Sequence, residues 1–454
     1  MNFRITHYFN KIRSHLLKRH FTYLSILFTL NSSAQEVKRL TLQEAIKIGI
    51  DNSKQLKLSE ARISEAISKY NQVKDKALPT GSTSYAYNHA EIPTSTFQLG
   101  KGSDPIHLPK RADAYIGTFS LQEVVFGGNR LRYAKESTDL LIQNAKLDAE
   151  KDKRDIVYNI LNTYFNLYKL SQSQNIVKQN LEDIDKQIKQ TKLFFEQGIV
   201  TKNDLLRFQL QRSNVELTGL DLKTNSEIVN YNLNILLGFR DNTIVQIDDP
   251  KQNTQALNGL SNYIDSALQN REEIKSLVIR GKQAETTVKS VSAEVLPTVL
   301  VGTNAYYINP SGKIIPPANS FIAPITIGAT IAWKFDGLWL NRNKVAEAKI
   351  QRTEVQLSNE LFTDQIKTQV NQDYQNYNRS ISKIKILETS IEQAKENNRI
   401  LESKYKNNVA SVTERIDAET QLYQTLINYE IAKADAQLAY FTLLKSSGTL
   451  SINN

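Results

Sequence analysis

The chain contains no cysteine, so a disulfide framework, a cysteine-linked lipid anchor and thiolate metal ligation are all excluded. Its one methionine is Met1, and of its five histidines only His89 and His107 lie beyond residue 20. Soft-metal binding and histidine-based catalysis therefore have almost nothing to work with. No phosphate-binding glycine loop, metal-ligand cluster or nucleophile–base spacing occurs, so no enzyme activity and no cofactor are expected. Long apolar runs are missing too. The most apolar stretch, Phe21–Leu30, is far short of the roughly 20 residues that a spanning helix needs. Charge of one sign is scarce: the formal net charge is +10, but Arg4, Lys11, Arg13, Lys18 and Arg19 contribute five of the positives. Without residues 1–34 the chain has 52 bases against 47 acids, a weak basis for binding nucleic acid, and none is expected as a partner.

Glycine and proline are absent from Asn129–Gln197 and from Leu338–Ser447. Ordinary globular helices average three or four turns, so such spans predict rods of coiled-coil type. Glycine and proline gather instead around Pro79–Gly128 and Pro297–Gly337, each of which reads as a β-hairpin. The N-terminus reads as a secretory signal. It has a basic segment to His20, the apolar stretch to Leu30, and small residues Ser32 and Ala34 before a cut after Ala34.

The order hairpin, helix pair, hairpin, helix pair is an internal repeat. Ala77-Leu78-Pro79-Thr80 returns as Val295-Leu296-Pro297-Thr298, and Val125-Phe126-Gly127-Gly128 as Lys334-Phe335-Asp336-Gly337. Gln197-Gly198-Ile199-Val200-Thr201 returns as Asn407-Asn408-Val409-Ala410-Ser411. Leu237-Gly238 faces Ser447-Gly448, and Asn52 faces Asn270. The strands alternate with period two: Ile325, Ile327, Ala329, Ile331 and Trp333 share one face, and Thr326, Gly328, Thr330 and Ala332 share the other. Strands of this length with one apolar face suit a membrane β-barrel or a small soluble β-domain with one wet face. Four strands cannot close a barrel, so membrane insertion requires an oligomer, with about eight strands from two copies or twelve from three. Along the rods, Val177, Leu181, Ile184 and Ile188 follow coiled-coil spacing.

In this order and spacing, the Leu-Pro pairs, the Phe-Gly-Gly and Phe-Asp-Gly turns and the two tip motifs resemble the TolC-like outer-membrane efflux protein family over about residues 40–448. The resemblance implies a mostly α protein with a transmembrane β part, in a duplicated strand-strand-helix-helix repeat. Four strands per chain would contribute to a trimeric twelve-stranded barrel, continued by a long periplasmic α-helical barrel. The layout is a signal peptide at 1–34 and a first repeat at 35–238, with strands about 80–90 and 114–125 and helices about 129–197 and 202–237. An equatorial connection at 239–261 leads to a second repeat at 262–448, with strands about 298–307 and 324–335 and helices about 339–407 and 412–447. A tail at 449–454 completes it.

The function that the resemblance implies is a passive exit duct of a tripartite efflux or type I secretion system in the outer membrane of a Gram-negative bacterium. Its partners would be two further copies of itself, a periplasmic adaptor, an inner-membrane transporter of the RND, ABC or MFS type, and outer-membrane lipid. A periplasmic adaptor or another structural coiled-coil protein of the envelope is the alternative. Carried over residue by residue, the family's aperture acids fall on Glu414 and Asp417, three apart and so on one helix face, where packed like charges should raise some pKa values. A gate link falls on Asp204 and Tyr405, while the arginine of the family's other link falls on Ala410. The adaptor-docking tips fall on Gly198, Ile199, Val200 and Thr201, and on Asn408, Val409, Ala410 and Ser411.

Overall fold

The computed structural model describes residues 37–91, 93, 96–98, 100–107, 110–249, 257–310 and 321–451. The expected signal segment lies outside them. The chain begins with β1 (Val37–Leu40), α1 (Leu42–Asn52) and α2 (Lys54–Asp75). A strand pair follows, β2 (Thr80–Glu91) and β5 (Arg111–Phe126), with the short β3 (Thr96–Phe97) and β4 (Ile106–His107) paired between them. Next come two long helices, α3 (Arg130–Glu196) and α4 (Lys202–Leu237), then β6 (Ile244–Ile247). The second half repeats the pattern with α5 (Leu260–Asn270), α6 (Glu272–Ser292), β7 (Thr298–Pro310), β8 (Ile325–Ala332), α7 (Gly337–Lys406) and α8 (Val412–Ser446).

With no glycine or proline to interrupt it, α3 runs for 67 residues, about 100 Å at 1.5 Å per residue. Its central part forms the main core. Ile160, Leu161, Tyr164 and Phe165 pack with Ala45 and Ile46 of α1, Leu233 and Leu237 of α4, Val245 of β6 and Ala434 of α8. Tyr164 is fully buried, and its hydroxyl donates to the Leu40 carbonyl at 3.1 Å and the Asp248 carbonyl at 3.0 Å. It thereby pins the parallel β1–β6 pair to the rod's waist. A second core joins Tyr263 and Ala267 of α5 to Ile366, Val370 and Tyr377 of α7 and Leu443 of α8.

The repeat is visible in matching helix ends. Gly238 and Gly448 sit at φ 71° and 70°, a region glycine adopts without a steric cost. Gly238 lies against Asn52 and Gly448 against Asn270 and Arg271. The Asn52 amide donates to the Leu237 carbonyl at 2.7 Å, which satisfies one of the carbonyls left free at the end of α4. The companion helices α2 and α6 extend each repeat beyond the strand-strand-helix-helix unit read from the sequence.

The four strands form one antiparallel sheet in the order β2-β5-β7-β8. Its register pairs Tyr87 with Tyr115, Phe119 with Ala305, and Ala305 with Ile325, so these side chains share a face. Ile325, Ile327 and Ile331 on that face are exposed, as are Tyr85 and Tyr87. The opposite face carries Ser84, Thr118, Asn304 and Thr326. The sheet is open, with β2 and β8 as its edges. No helix among the described residues is long and apolar enough to cross a membrane.

Candidate functional site at the helix tips

The two long helical hairpins end at the same place, and their turns share one construction. Helix α3 stops because Gly198 takes a left-handed conformation, φ 75°. Its N–H bonds to the Phe195 carbonyl at 3.0 Å and that of Ile199 to the Phe194 carbonyl at 2.9 Å, the paired bonds of a Schellman terminus. Helix α7 stops in the same way at Asn408, φ 58°, with Asn408 bonding back to Tyr405 and Val409 to Lys404. Asparagine is among the few non-glycine residues that tolerate this region.

Each outgoing helix starts with a capping box. The Thr201 N–H donates to the Asp204 carboxylate at 2.9 Å while the Asp204 N–H donates to the Thr201 hydroxyl. Ser411 and Glu414 repeat this, with the Ser411 N–H donating to Glu414 at 2.8 Å. The backbone and hydroxyl of Ser411 both stabilise the charged form, so Glu414's carboxyl is held below the usual range. Within one protomer this is opposite to the increase that packed like charges would produce. Glu414 and Asp417 are both exposed on α8.

Tyr405 and Asp204 are not hydrogen-bonded to each other within the protomer. The Asp204 carboxylate is engaged by both the N–H and the hydroxyl of Thr201. The Tyr405 hydroxyl instead meets Thr191 Oγ1 of α3 at 3.1 Å. Burial raises the tyrosine's pKa, and its ring packs edge-on against Phe208 with centroids 5.9 Å apart. Tyr405, Phe208 and Val412 form a small core that joins the two tips, with Ile188, Ala410 and Ile416 against it. Val200 and Ala410 are half-buried. Gly198, Ile199, Thr201, Asn408, Val409 and Ser411 are exposed, Val409 at 73%.

Sequence reasoning missed Thr191, and nothing in a lone threonine on a long helix announces it. It also missed the two capping boxes, which the Thr-x-x-Asp and Ser-x-x-Glu spacings would have revealed. A polar layer just inside the tips, with Arg415, Glu419 and Tyr423 buried on α8 against the half-buried Asp183 and Gln187 of α3, was missed as well. Its signal was two charges at seam positions: Val412, Arg415, Glu419, Leu422 and Leu426 follow 3-4-3-4 spacing. Among the described residues no cluster of His, Cys, Asp and Glu is placed to hold a metal ion.

No protein-family model and no curated protein matches the sequence. The fold, however, matches solved structures over nearly its whole length. The outer-membrane channel OprN is 17% identical, with a TM-score of 0.73 and 91% of each chain covered. VceC, an outer-membrane protein of Vibrio cholerae, is 16% identical with a TM-score of 0.73, covering 90% of this chain and 96% of its own. The Campylobacter jejuni CmeC outer-membrane channel is 15% identical with a TM-score of 0.74, covering 91% and 86%. The chain has the fold of the TolC-type outer-membrane channels. The open four-stranded sheet and the paired hairpin tips lie at opposite ends of the long helices, since β5 and β8 lead directly into α3 and α7 and these run to the tips. The structural neighbours are channels rather than enzymes.

Proposed function

We propose that this protein is an outer-membrane exit duct, the terminal and passive component of a tripartite efflux or type I secretion assembly. The observation that carries the reading is the open four-stranded sheet, apolar on one face and polar on the other, continuous with two long helical hairpins. In lipid every backbone polar group must be satisfied, and only closure removes the unpaired edges of β2 and β8. Three copies supply about twelve strands, within the range of membrane barrels, with the polar face lining the lumen.

A second feature supports the trimer. Helix α4 exposes Leu206, Leu210, Leu217, Ile228, Tyr231 and Ile235, at steps of four, seven, eleven, three and four residues that keep them near one face of the helix. A solvated helix would not keep such a seam in water, and a neighbouring copy would bury it. In this reading the tips face the periplasm. Gly198–Thr201 and Asn408–Ser411 meet a periplasmic adaptor, Glu414 and Asp417 border the aperture, and an RND, ABC or MFS transporter supplies the cargo. The adaptor alternative is not favoured, because it calls for one hairpin flanked by soluble β-domains.

The test is the mass of the detergent-extracted protein by light scattering, corrected for bound detergent, together with conductance in planar bilayers. A trimer that forms ion-conducting pores is expected. A monodisperse monomer that needs no detergent would refute the proposal.

A further inference from the structure

Just inside the tips, α8 meets α3 through charged groups where the coiled-coil seam calls for apolar ones. Arg415 and Glu419 are 5% and 4% exposed. The Gln187 amide donates to Glu419 Oε2 at 2.7 Å, and the Arg415 guanidinium stands 3.9 Å from the same carboxylate. Arg415 spends its short bond elsewhere, donating to Asn398 Oδ1 of α7 at 2.6 Å. Glu419 Oε1 and Gln187 Oε1 are buried with no hydrogen-bond partner. The carboxylate is therefore only half satisfied, and an incompletely paired charge in a dry site is costly.

We propose that Glu419 is a proton-operated positioning residue. Its protonation state sets how tightly α8 is clasped to α3, and so how far open the aperture bordered by Glu414 and Asp417 stands. The inference rests on the duct reading for its consequence, but the clasp itself is local geometry.

The groups facing Glu419 fix the sign. On α3 these are Gln187 and Asp183, the latter bound to Lys186 at 2.7 Å and accepting from the Tyr423 hydroxyl. Helix α7 adds Asn398 and Glu402, which is paired with Lys406. On α8 itself are Arg415 and Tyr423. From α4, Arg207 and Gln211 bond to Thr413 and Thr420 instead. Burial raises the Glu419 carboxyl's pKa above its ordinary value; Arg415 and Gln187 oppose this, and the negative charges of Asp183 and Glu402 add to the rise. When α8 parts from α3 the carboxyl regains water and its ordinary value. The clasped form thus holds the proton more tightly. Its extra stability is fully present below the ordinary glutamate pKa and is lost as pH rises through the raised value. Each unit of difference between the two forms changes the open-to-clasped ratio about tenfold per protomer.

The test uses the absence of native cysteine. Spin labels on Lys189→Cys and Gln421→Cys, exposed positions on α3 and α8, report the separation of the two helices in the detergent-solubilised protein. Between pH 8 and pH 4 the separation is expected to shorten and narrow on acidification. Glu419→Gln, which mimics the protonated form, should hold the short distance at every pH. If that variant folds poorly, Arg415→Leu with Glu419→Leu should do the same, since well-packed apolar residues often replace a buried ion pair without loss. A distance independent of pH in the unsubstituted background, or an unchanged pH response in the position-419 variants, would overturn the clasp. Absence of bilayer conductance alongside the expected distance change would overturn the duct reading alone.

Discussion

The bond between Tyr405 and Thr191 is a hydroxyl pair that ties the second hairpin's tip to the first, and it yields a double-mutant cycle with a distinctive outcome. Tyr405→Phe keeps the ring against Phe208 and leaves Thr191 without its partner at 3.1 Å. A buried hydroxyl that loses its partner costs about 1–3 kcal/mol. Thr191 has an escape, because a threonine on a helix can turn to the carbonyl four residues back. This substitution should fall near 1 kcal/mol. Thr191→Val strands the tyrosine hydroxyl, which has no such local acceptor, so about 2 kcal/mol is expected. Replacing both partners removes both orphans, and the double variant should cost no more than Tyr405→Phe alone. The predicted coupling is therefore at least about 2 kcal/mol, a factor of roughly 30 in the local opening constant. Native-state hydrogen exchange of the Arg415–Glu419 amides reads that constant, and resting bilayer conductance should rise and fall with it. If the double variant's cost equals the sum of the singles within about 0.5 kcal/mol, the two hydroxyls do not act as a pair and the tip link is wrongly assigned.

Two further outcomes follow from the tip geometry. Neutralising Glu414 and Asp417 together, as Gln and Asn, should lower cation selectivity, read as a reversal potential under a salt gradient. The effect should persist across neutral pH, because the Ser411 cap keeps Glu414's carboxyl ionised well below it; an unchanged reversal potential would refute the aperture role. At the docking end, Gly198→Asp and Val409→Asp should weaken adaptor binding in a pull-down while trimer mass stays constant. Val409 is the better probe than Ala410, which packs into the Phe208–Tyr405 core, and wild-type binding by both variants would remove the tips from the docking surface.

The sequence alone determined the alternation of long rods and short sheets. Glycine and proline, the strongest helix breakers, are absent from Asn129–Gln197 and Leu338–Ser447, so the turns propagate along each rod until a left-handed residue, Gly198 or Asn408, ends it. It determined which face of each strand is apolar, because a period of two has no freedom once the strand exists; Ile325, Ile327 and Ile331 illustrate this. It also located the tips, since Gly198 and Asn408 are residues that the left-handed turn selects. The tertiary structure alone decided who meets whom. The parallel β1–β6 pair joins residues about two hundred apart in a stretch too short to show periodicity, and the Tyr164 hydroxyl holds it from a third segment. The partner of Tyr405 is Thr191 rather than Asp204, because the capping box claims the aspartate first and the helices' relative rotation brings the threonine within reach. The clasp around Glu419 likewise depends on three helices arriving with their polar seam positions in register. Local periodicity specifies the seam, and only packing decides which buried charges find partners and which, like Glu419, are left half-satisfied.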